Sequence, residues 1–401
     1  MLPPASSQRL YFLDWLRIGA FALLVLYHVG MYYVSWPWHV KSPDASSALE
    51  PFMRLSSPWR LSLLFLISGA ATSFMLMRDG ASARWLGMRS KRLLLPLLVG
   101  MAVIVPPQSY FEVVQQHGYA GSYVDFMRLY VSGHGGFCKA GAGCLILPTW
   151  NHLWFVAYLF VYTAALWLLL RAWPQALRTL ADALSRGLRG AAKLWLPIAV
   201  LALLRVMLID RHPPSHAMWG DWYLHAIYFG VFLVGAAWAR DPGAWQRCAE
   251  LRWPALGIAL AAWAAMIVLP LWLGATPAAR GQWSWLGRVM FAAMQWTAIV
   301  AAVGFASVHL NRDHHWRATL VEAVFPVYIA HQTLIILFAT LLAPLRWTPA
   351  VEGPLLALLT LGASFGVYLA VRRARWLRTA FGLDAARTAR MPAARIPAAA
   401  R

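Results

Sequence analysis

Apolar residues in this chain neither alternate nor mark one helix face. They run almost unbroken for about 20 residues at a time, between short stretches rich in Arg, Gly, Pro and Ser. Ten such runs occur, near residues 11–36, 59–78, 92–111, 150–171, 193–210, 222–239, 253–274, 284–308, 319–343 and 351–372. As helices, runs of this length cross about 30 Å of hydrocarbon. A helix satisfies its own backbone hydrogen bonds in lipid, whereas barrel strands would be about 10 residues long with alternating polarity. The pattern predicts an all-α integral membrane protein: a polytopic bundle of about ten transmembrane helices over residues 1–372, then a basic cytoplasmic tail over 373–401. No internal repeat is evident. The first run outlasts a signal-peptide apolar core and meets no small-residue cleavage site, so it reads as a retained first helix.

Composition agrees, since 60% hydrophobic and only 12% charged residues describe a chain whose solvent is mostly lipid. A formal charge of +20 raises the question of a nucleic-acid partner, but the sidedness of the charges answers it. With the N-terminus inside, 24 Lys and Arg fall on the cytoplasmic side. Ten, including Arg54 and Arg60, fall on the other, with Arg17 uncounted inside the first helix. Positive residues are retained in the cytoplasm, so both termini are expected there, in a cell inner membrane, with the basic tail resting on anionic lipid headgroups. No nucleic acid is needed to explain the charge. Cys138 and Cys144 fall in the longest outer loop, roughly residues 112–149, and either form a disulfide on an oxidising face or remain thiols; Cys248 falls on the reducing side. His134 beside that pair completes no zinc pattern, and no metal is expected.

The chemistry lies in the polar residues interrupting the runs. In LDWLRIGAFALLVLYHVG, Arg17 and His28 are eleven residues apart. That is three helical turns plus about 20°, so they share one face about 16 Å apart along the axis. Arg17 falls in the inner leaflet and His28 near mid-membrane, where an ionisable residue costs about 2.5–3.5 kcal/mol on insertion scales and so faces protein or water. Asp14 is placed to pair with Arg17. His28 reads either as a neutral histidine hydrogen-bonded between helices or as a working base. His331, in EAVFPVYIAHQTLI, also sits near the centre of its run, before Gln332, with Pro326 expected to kink the helix. Asn151 and His152 open TWNHLWF, and His152 between Trp150 and Trp154 reads first as an interfacial anchor. Glu322 reads as a boundary residue. RSKR, residues 89–92, is either a topology signal or an anion site: Arg89 and Arg92 share one side of a helical turn, and two guanidinium forks suit phosphates.

Together these motifs resemble membrane acyltransferase family 3 over almost the whole chain. Its R-x10-H pattern appears as Arg17 and His28 and its R-x-x-R pattern as Arg89 and Arg92. FLISG (65–69), HLWF (152–155) and VYIAHQ (327–332) are similar to its later helices. YFLDWLR, His28 and WHVKS (38–42) look most like a branch associated with succinylation of periplasmic glucans. The resemblance implies an O-acyltransferase moving an acyl group, succinyl or acetyl, from cytoplasmic acyl-CoA to hydroxyls of a periplasmic or cell-surface glycan, with acyl-CoA as donor substrate and no further cofactor. It implies His28, with Arg17, as catalytic, either as general base or as acyl-carrying nucleophile. Arg89, Lys91 and Arg92 would bind the donor, while His331, His152 and Asp14 would support the site or bind the acceptor. Two other classes use similar residues. A proton-coupled transporter calls for mid-membrane acids and inverted repeats, which the sequence lacks; a non-catalytic assembly factor would tolerate loss of His28. Oligomeric state has no signature in the sequence.

Overall fold

The computed structural model describes residues 10–384 except 140–142, 189–191 and 274–276, and at 139, 242, 272–273 and 277–283 the backbone only. Fifteen α-helices are described: α1 (Tyr11–Tyr33), α2 (Glu50–Ser56), α3 (Arg60–Asp79), α4 (Ala83–Val99), α5 (Pro106–His117), α6 (Tyr123–Val131), α7 (Trp154–Ala172) and α8 (Ala176–Gly187). They continue with α9 (Ala192–Leu208), α10 (Trp222–Trp238), α11 (Pro242–Leu273), α12 (Pro277–His309), α13 (Arg317–Leu342), α14 (Pro349–Val371) and α15 (Arg375–Ala380). Arg9, Arg189, the side chains of Lys139 and Arg280 and the tail beyond Asp384, all part of the charge count, lie outside what is described.

Every predicted run is helical, but they are not ten uniform spans. Among the described residues, seven helical stretches are long and apolar enough to cross a membrane, or nine if each of two bent pairs counts as one. One such pair joins α4 to α5 at 42°, through a π-helical turn, Gly100–Ile104. The run at 92–111 is thus a broken helix, and such turns release carbonyls from the regular ladder. The other pair is α8 with α9, at 114°, and α10 is a shorter apolar helix. Leu98, Leu203, Leu341 and Leu358 are exposed, as lipid-facing positions of a multi-pass membrane protein must be. Local signals end the helices: the Ser82 hydroxyl accepts from the Trp85 N–H to start α4, and Gly118 closes α5 in the left-handed conformation.

Helix α3, which carries FLISG, meets α10 backbone to backbone. A Cβ on Gly69 would fall 1.9 Å from the Phe232 carbonyl oxygen, and one on Gly235 would fall 2.0 Å from that of Leu66. Small residues let membrane helices approach this closely, where packing replaces the hydrophobic effect. Because the obstructing atoms are backbone, neither partner can yield. Gly235→Val is therefore expected to cost at least the roughly 1–3 kcal/mol of ordinary overpacking, measurable as a lowered melting temperature in detergent. Gly257→Val, where a Cβ has nothing within 4 Å, is the control; equal melting of the two variants would refute the contact.

The segments at 38–42 and 112–116 are fastened together. His39 Nδ1 lies 2.5 Å from Glu112 Oε2, the Lys41 N–H donates to Gln115 Oε1 at 2.7 Å, and Gln116 Nε2 donates to the carbonyls of Trp38 and His39 at 2.6 Å. Lys41 Nζ donates to the carbonyls of Met31 (2.6 Å), Val34 and Trp36, capping the C-terminus of α1 with a cation. Burial lowers the Lys41 ammonium to about 8, with Glu50 opposing the shift. WHVKS thus has a structural task, holding the C-terminal end of α1 against α5. A two-residue antiparallel hairpin, β1 (Cys138–Lys139) and β2 (Gly143–Cys144), places Cys138 opposite Cys144, and the two are disulfide-bonded. At the other end of the bundle, the stretch after α14 packs inward: Arg378, Phe381 and Leu383 are buried, and Arg378 donates to Glu322 at 3.0 Å.

Candidate active site

His28 on α1 and His331 on α13 are separated by 303 residues, yet His28 Nδ1 lies 2.8 Å from His331 Nε2. On the far side of the second ring, His331 Nδ1 lies 2.5 Å from the Tyr328 carbonyl oxygen. A carbonyl only accepts, so His331 Nδ1 carries the proton and, in the neutral ring, Nε2 accepts. It follows that His28 donates through Nδ1 and keeps the lone pair on Nε2. One backbone carbonyl, acting through two rings, thereby fixes His28 in the tautomer a base requires.

His152 joins this pair, and the interfacial reading of it does not hold. A 3-10 turn, Asn151–Leu153, carries it inward to 6% exposure. Its Nε2 lies 3.1 Å from the Ile329 carbonyl, and its ring stands edge-on to His331, centroids 5.0 Å apart. Beneath lies a buried amide cluster. Gln108 donates to Thr333 Oγ1 at 2.7 Å and accepts from Asn151 (3.1 Å) and Gln332 (3.0 Å); Thr333 in turn donates to the Ile104 carbonyl at 2.6 Å. Ile104 ends the π-helical turn, so the break in the third run supplies the acceptor that completes the cluster. Buried polar groups satisfied in this way make a rigid frame.

Two cavities meet near the histidines. The larger, about 350 Å³, is lined by Arg17, Arg89 and Arg92 together with Glu322 and Asp384. The smaller, about 30 Å³, is lined by His28, Arg60 and His152 among apolar side chains. That is roughly the share of one liquid water molecule. Phe21 and Phe155 line both cavities. Their rings, with centroids 6.4 Å apart, and that of Tyr328, 5.4 Å from Phe21, form an aromatic partition between vestibule and chamber.

The expected pairs are partly redrawn. Arg17 faces the vestibule and donates to the Val321 carbonyl at 3.1 Å, one turn before Pro326. Asp14, expected to pair with Arg17, instead accepts from Arg317 at 2.6 Å, because α13 brings that guanidinium alongside the start of α1. Arg89 and Arg92 face one cavity as their spacing requires, whereas Lys91 is exposed and outside its lining. Glu322 is a boundary residue with a partner, Arg378. Sequence reasoning missed the position of Arg60, counted only as an end-of-helix charge, and the roles of Gln108 and the aromatic partition. No short motif marks them.

A multi-pass helical membrane protein with an oriented imidazole beyond an arginine-lined vestibule has the layout of a membrane-embedded group transferase. Comparison with known proteins specifies the group: residues 10–369 match the profile of a family described as "Acyltransferase domain". The chain belongs to this family, membrane acyltransferase family 3. It is similar to curated proteins named Glucans biosynthesis protein C. The one from Escherichia coli (strain SMS-3-5 / SECEC) is 33% identical over 105 residues, 26% of this chain and 27% of that protein. The one from Shigella dysenteriae serotype 1 (strain Sd197) is 29% identical over 168 residues, 40% and 38% of the two chains. The matched stretches thus span between about a quarter and two fifths of those relatives. No solved structure matches significantly.

Proposed function

We propose that the protein is an inner-membrane O-acyltransferase. It takes a succinyl or acetyl group from cytoplasmic acyl-CoA and esterifies a hydroxyl of a periplasmic or cell-surface glycan, a glucan being suggested by the relatives' name. The observation carrying this reading is the aligned sequence of vestibule, aromatic partition and oriented His28. Donor phosphates sit against Arg17, Arg89 and Arg92, with Lys91 at the outer rim. The acyl arm passes Phe21 and Phe155. His28 Nε2 takes the proton of the acceptor hydroxyl as its oxygen attacks the thioester carbonyl. The C–S bond then breaks, and the departing CoA thiolate receives that proton from the imidazolium. His331 and His152 position the base, and Asp14 holds the inner end of α1 to α13. Both termini are cytoplasmic in this arrangement, and the disulfide-bearing loop is outside, where such bonds persist.

The test is transfer of labelled acyl groups from acyl-CoA to oligosaccharide acceptors by the protein in nanodiscs, followed by mass spectrometry of the glycan. Wild type forms the ester. Arg89→Ala and Arg92→Ala each raise the KM for acyl-CoA by about tenfold, and Lys at either position restores only part, because the planar fork is lost. Absence of transfer from every acyl-CoA would remove the proposal, and full rescue by Lys would reduce RSKR to a topology signal.

A further inference from the structure

The chamber holds one charged group that the steps above leave unused. Arg60 begins α3, is 5% exposed, and lines the same cavity as His28. Its Cζ lies 3.2 Å from the centre of the Tyr27 ring, and Tyr27 precedes His28 on α1. That contact covers one guanidinium face and fixes the plane of its N–H groups. Nε and Nη1 have no hydrogen-bond partner, and among the described residues no carboxylate forms an ion pair with Arg60. The similarly buried Arg317 and Arg378 each hold a carboxylate, Asp14 and Glu322. A buried cation without a counter-charge is costly, so its place beside the base calls for an anion.

The room available limits what that anion can be. Along α1, Phe21 faces both cavities and His28 follows seven residues later; along α3, Ile67 faces the vestibule and Arg60 lies seven residues before it. Seven residues rise about 10 Å, so base and cation stand at similar depth beyond the partition. The cavity they share is about 30 Å³, roughly the share of one liquid water molecule. An acyl chain does not fit there, whereas a single oxygen does. The transfer makes one such oxygen anionic at the depth of His28. As the acceptor oxygen bonds to the thioester carbon and its proton passes to His28 Nε2, the carbonyl π pair moves onto the carbonyl oxygen. Two other polar groups of the chamber wall are engaged elsewhere: the Tyr328 hydroxyl donates to the His152 carbonyl, and His152 Nε2 faces the Ile329 carbonyl.

We propose that Arg60 is a second catalytic residue, the cation that stabilises this oxyanion. The assignment rests on the transferase reading and adds to it the group that meets the developing charge. When the tetrahedral centre collapses, the oxygen's electron pair re-forms the carbonyl, the C–S bond breaks, and the thiolate takes its proton from the His28 imidazolium. Arg60 gives up no proton and is needed only while the anion exists. A charge oriented in advance, away from bulk water, requires no reorganisation as the anion forms. A resident carboxylate would cancel that charge, which accounts for Arg60 lacking the partner that Arg317 and Arg378 have.

The experiment measures kcat and KM in nanodiscs for wild type, Arg60→Met and Arg60→Lys, using whichever of succinyl-CoA and acetyl-CoA wild type transfers faster. Each protein is also given the matching acyl-dithio-CoA, in which sulfur, a poor hydrogen-bond acceptor, replaces the carbonyl oxygen. Arg60→Met is expected to lower kcat by about 10²–10³-fold, as loss of an oxyanion donor does, with KM for the donor changed less than about threefold. Arg60→Lys should recover about tenfold of that, keeping the charge without the fork. The exchange of oxygen for sulfur should cost wild type about 10²-fold in kcat and Arg60→Met less than about threefold, because the group that senses the oxygen is already gone. A residue that only holds α3 in place would give the same sulfur penalty in both proteins. Equal penalties, a rise in KM with kcat intact, or near-normal turnover in Arg60→Met each overturn the assignment while leaving the transferase intact. If Arg60→Met fails to fold, as judged by size exclusion, Arg60→Lys decides in its place, and a sulfur penalty equal to that of wild type overturns the assignment. Transfer of neither donor by wild type brings down the transferase reading itself, and this assignment with it.

Discussion

Replacing His28 with Ala is expected to reduce acyl transfer by at least about 10³-fold while leaving the protein folded and near normal abundance in the membrane. General base catalysis accounts for about 10²–10⁴-fold in rate, and the site offers no substitute for the base. His331 Nε2, freed in this variant, lies 2.8 Å behind the place of the missing ring's Nδ1 and so out of reach of a proton presented to His28 Nε2; His331 Nδ1 and His152 Nε2 face carbonyls, and His152 Nδ1 faces Gln108 Nε2 at 3.4 Å. Folding should survive, because a side chain is being removed from the wall of an existing cavity. His331→Ala should cost less, on the order of 10²-fold, since it frees the tautomer of His28 without deleting the base. His331→Gln should recover part of that loss, its amide oxygen accepting from His28 Nδ1–H. Turnover with labelled donor in nanodiscs, beside size-exclusion profiles of each variant, provides the measurement. Near-normal activity in His28→Ala would leave this protein with a different chemical centre, and a His331 effect as large as that of His28 would make the two rings joint participants.

The parts of this site that could be read in advance share one property: they are local in sequence. Runs of apolar residues announce membrane helices because lipid imposes a length and forbids unpaired backbone. Arg17 with His28, and Arg89 with Arg92, could be assigned to common faces because helical geometry alone relates residues eleven or three apart. Where a second helix decides the outcome, the sequence had no ruler. Asp14 had a local candidate in Arg17 and found a distant one in Arg317. His152 stood between two tryptophans, the usual marker of an interface, and a 3-10 turn took it inside. Arg60 resembled any positive residue at a helix end until α1 and α3 closed around it. The break at Gly100–Ile104 was hidden for a related reason: a π-helical turn leaves hydropathy unchanged, and its use becomes apparent only once Thr333 reaches the Ile104 carbonyl.

The second large effect concerns sidedness. Sealed vesicles with the cytoplasmic face outward should consume externally added acyl-CoA and accumulate ester on glycan trapped in the lumen, whereas vesicles of opposite orientation given donor outside should form none. The expectation follows from what each face of the bundle offers. The arginine-lined cavity, about 350 Å³, opens among Arg89, Arg92 and the C-terminal segment at Gly382–Asp384. Polyphosphate has its counter-charges there. On the other side of Phe21 and Phe155, the chamber in this conformation holds little more than a water, so a nucleotide entering from the outer loops would meet the fastened segments at 38–42 and 112–116 and then an aromatic wall. A thioester arm is thin enough to pass between rings that move apart; a nucleotide is not, and lipid bars it elsewhere. Transfer should therefore require donor on one face and acceptor on the other, an all-or-none contrast between the two vesicle preparations. If label reaches glycan when acyl-CoA is supplied only to the outer face, the path from Arg17 to His28 is not the donor's route, even if His28 proves to be the base.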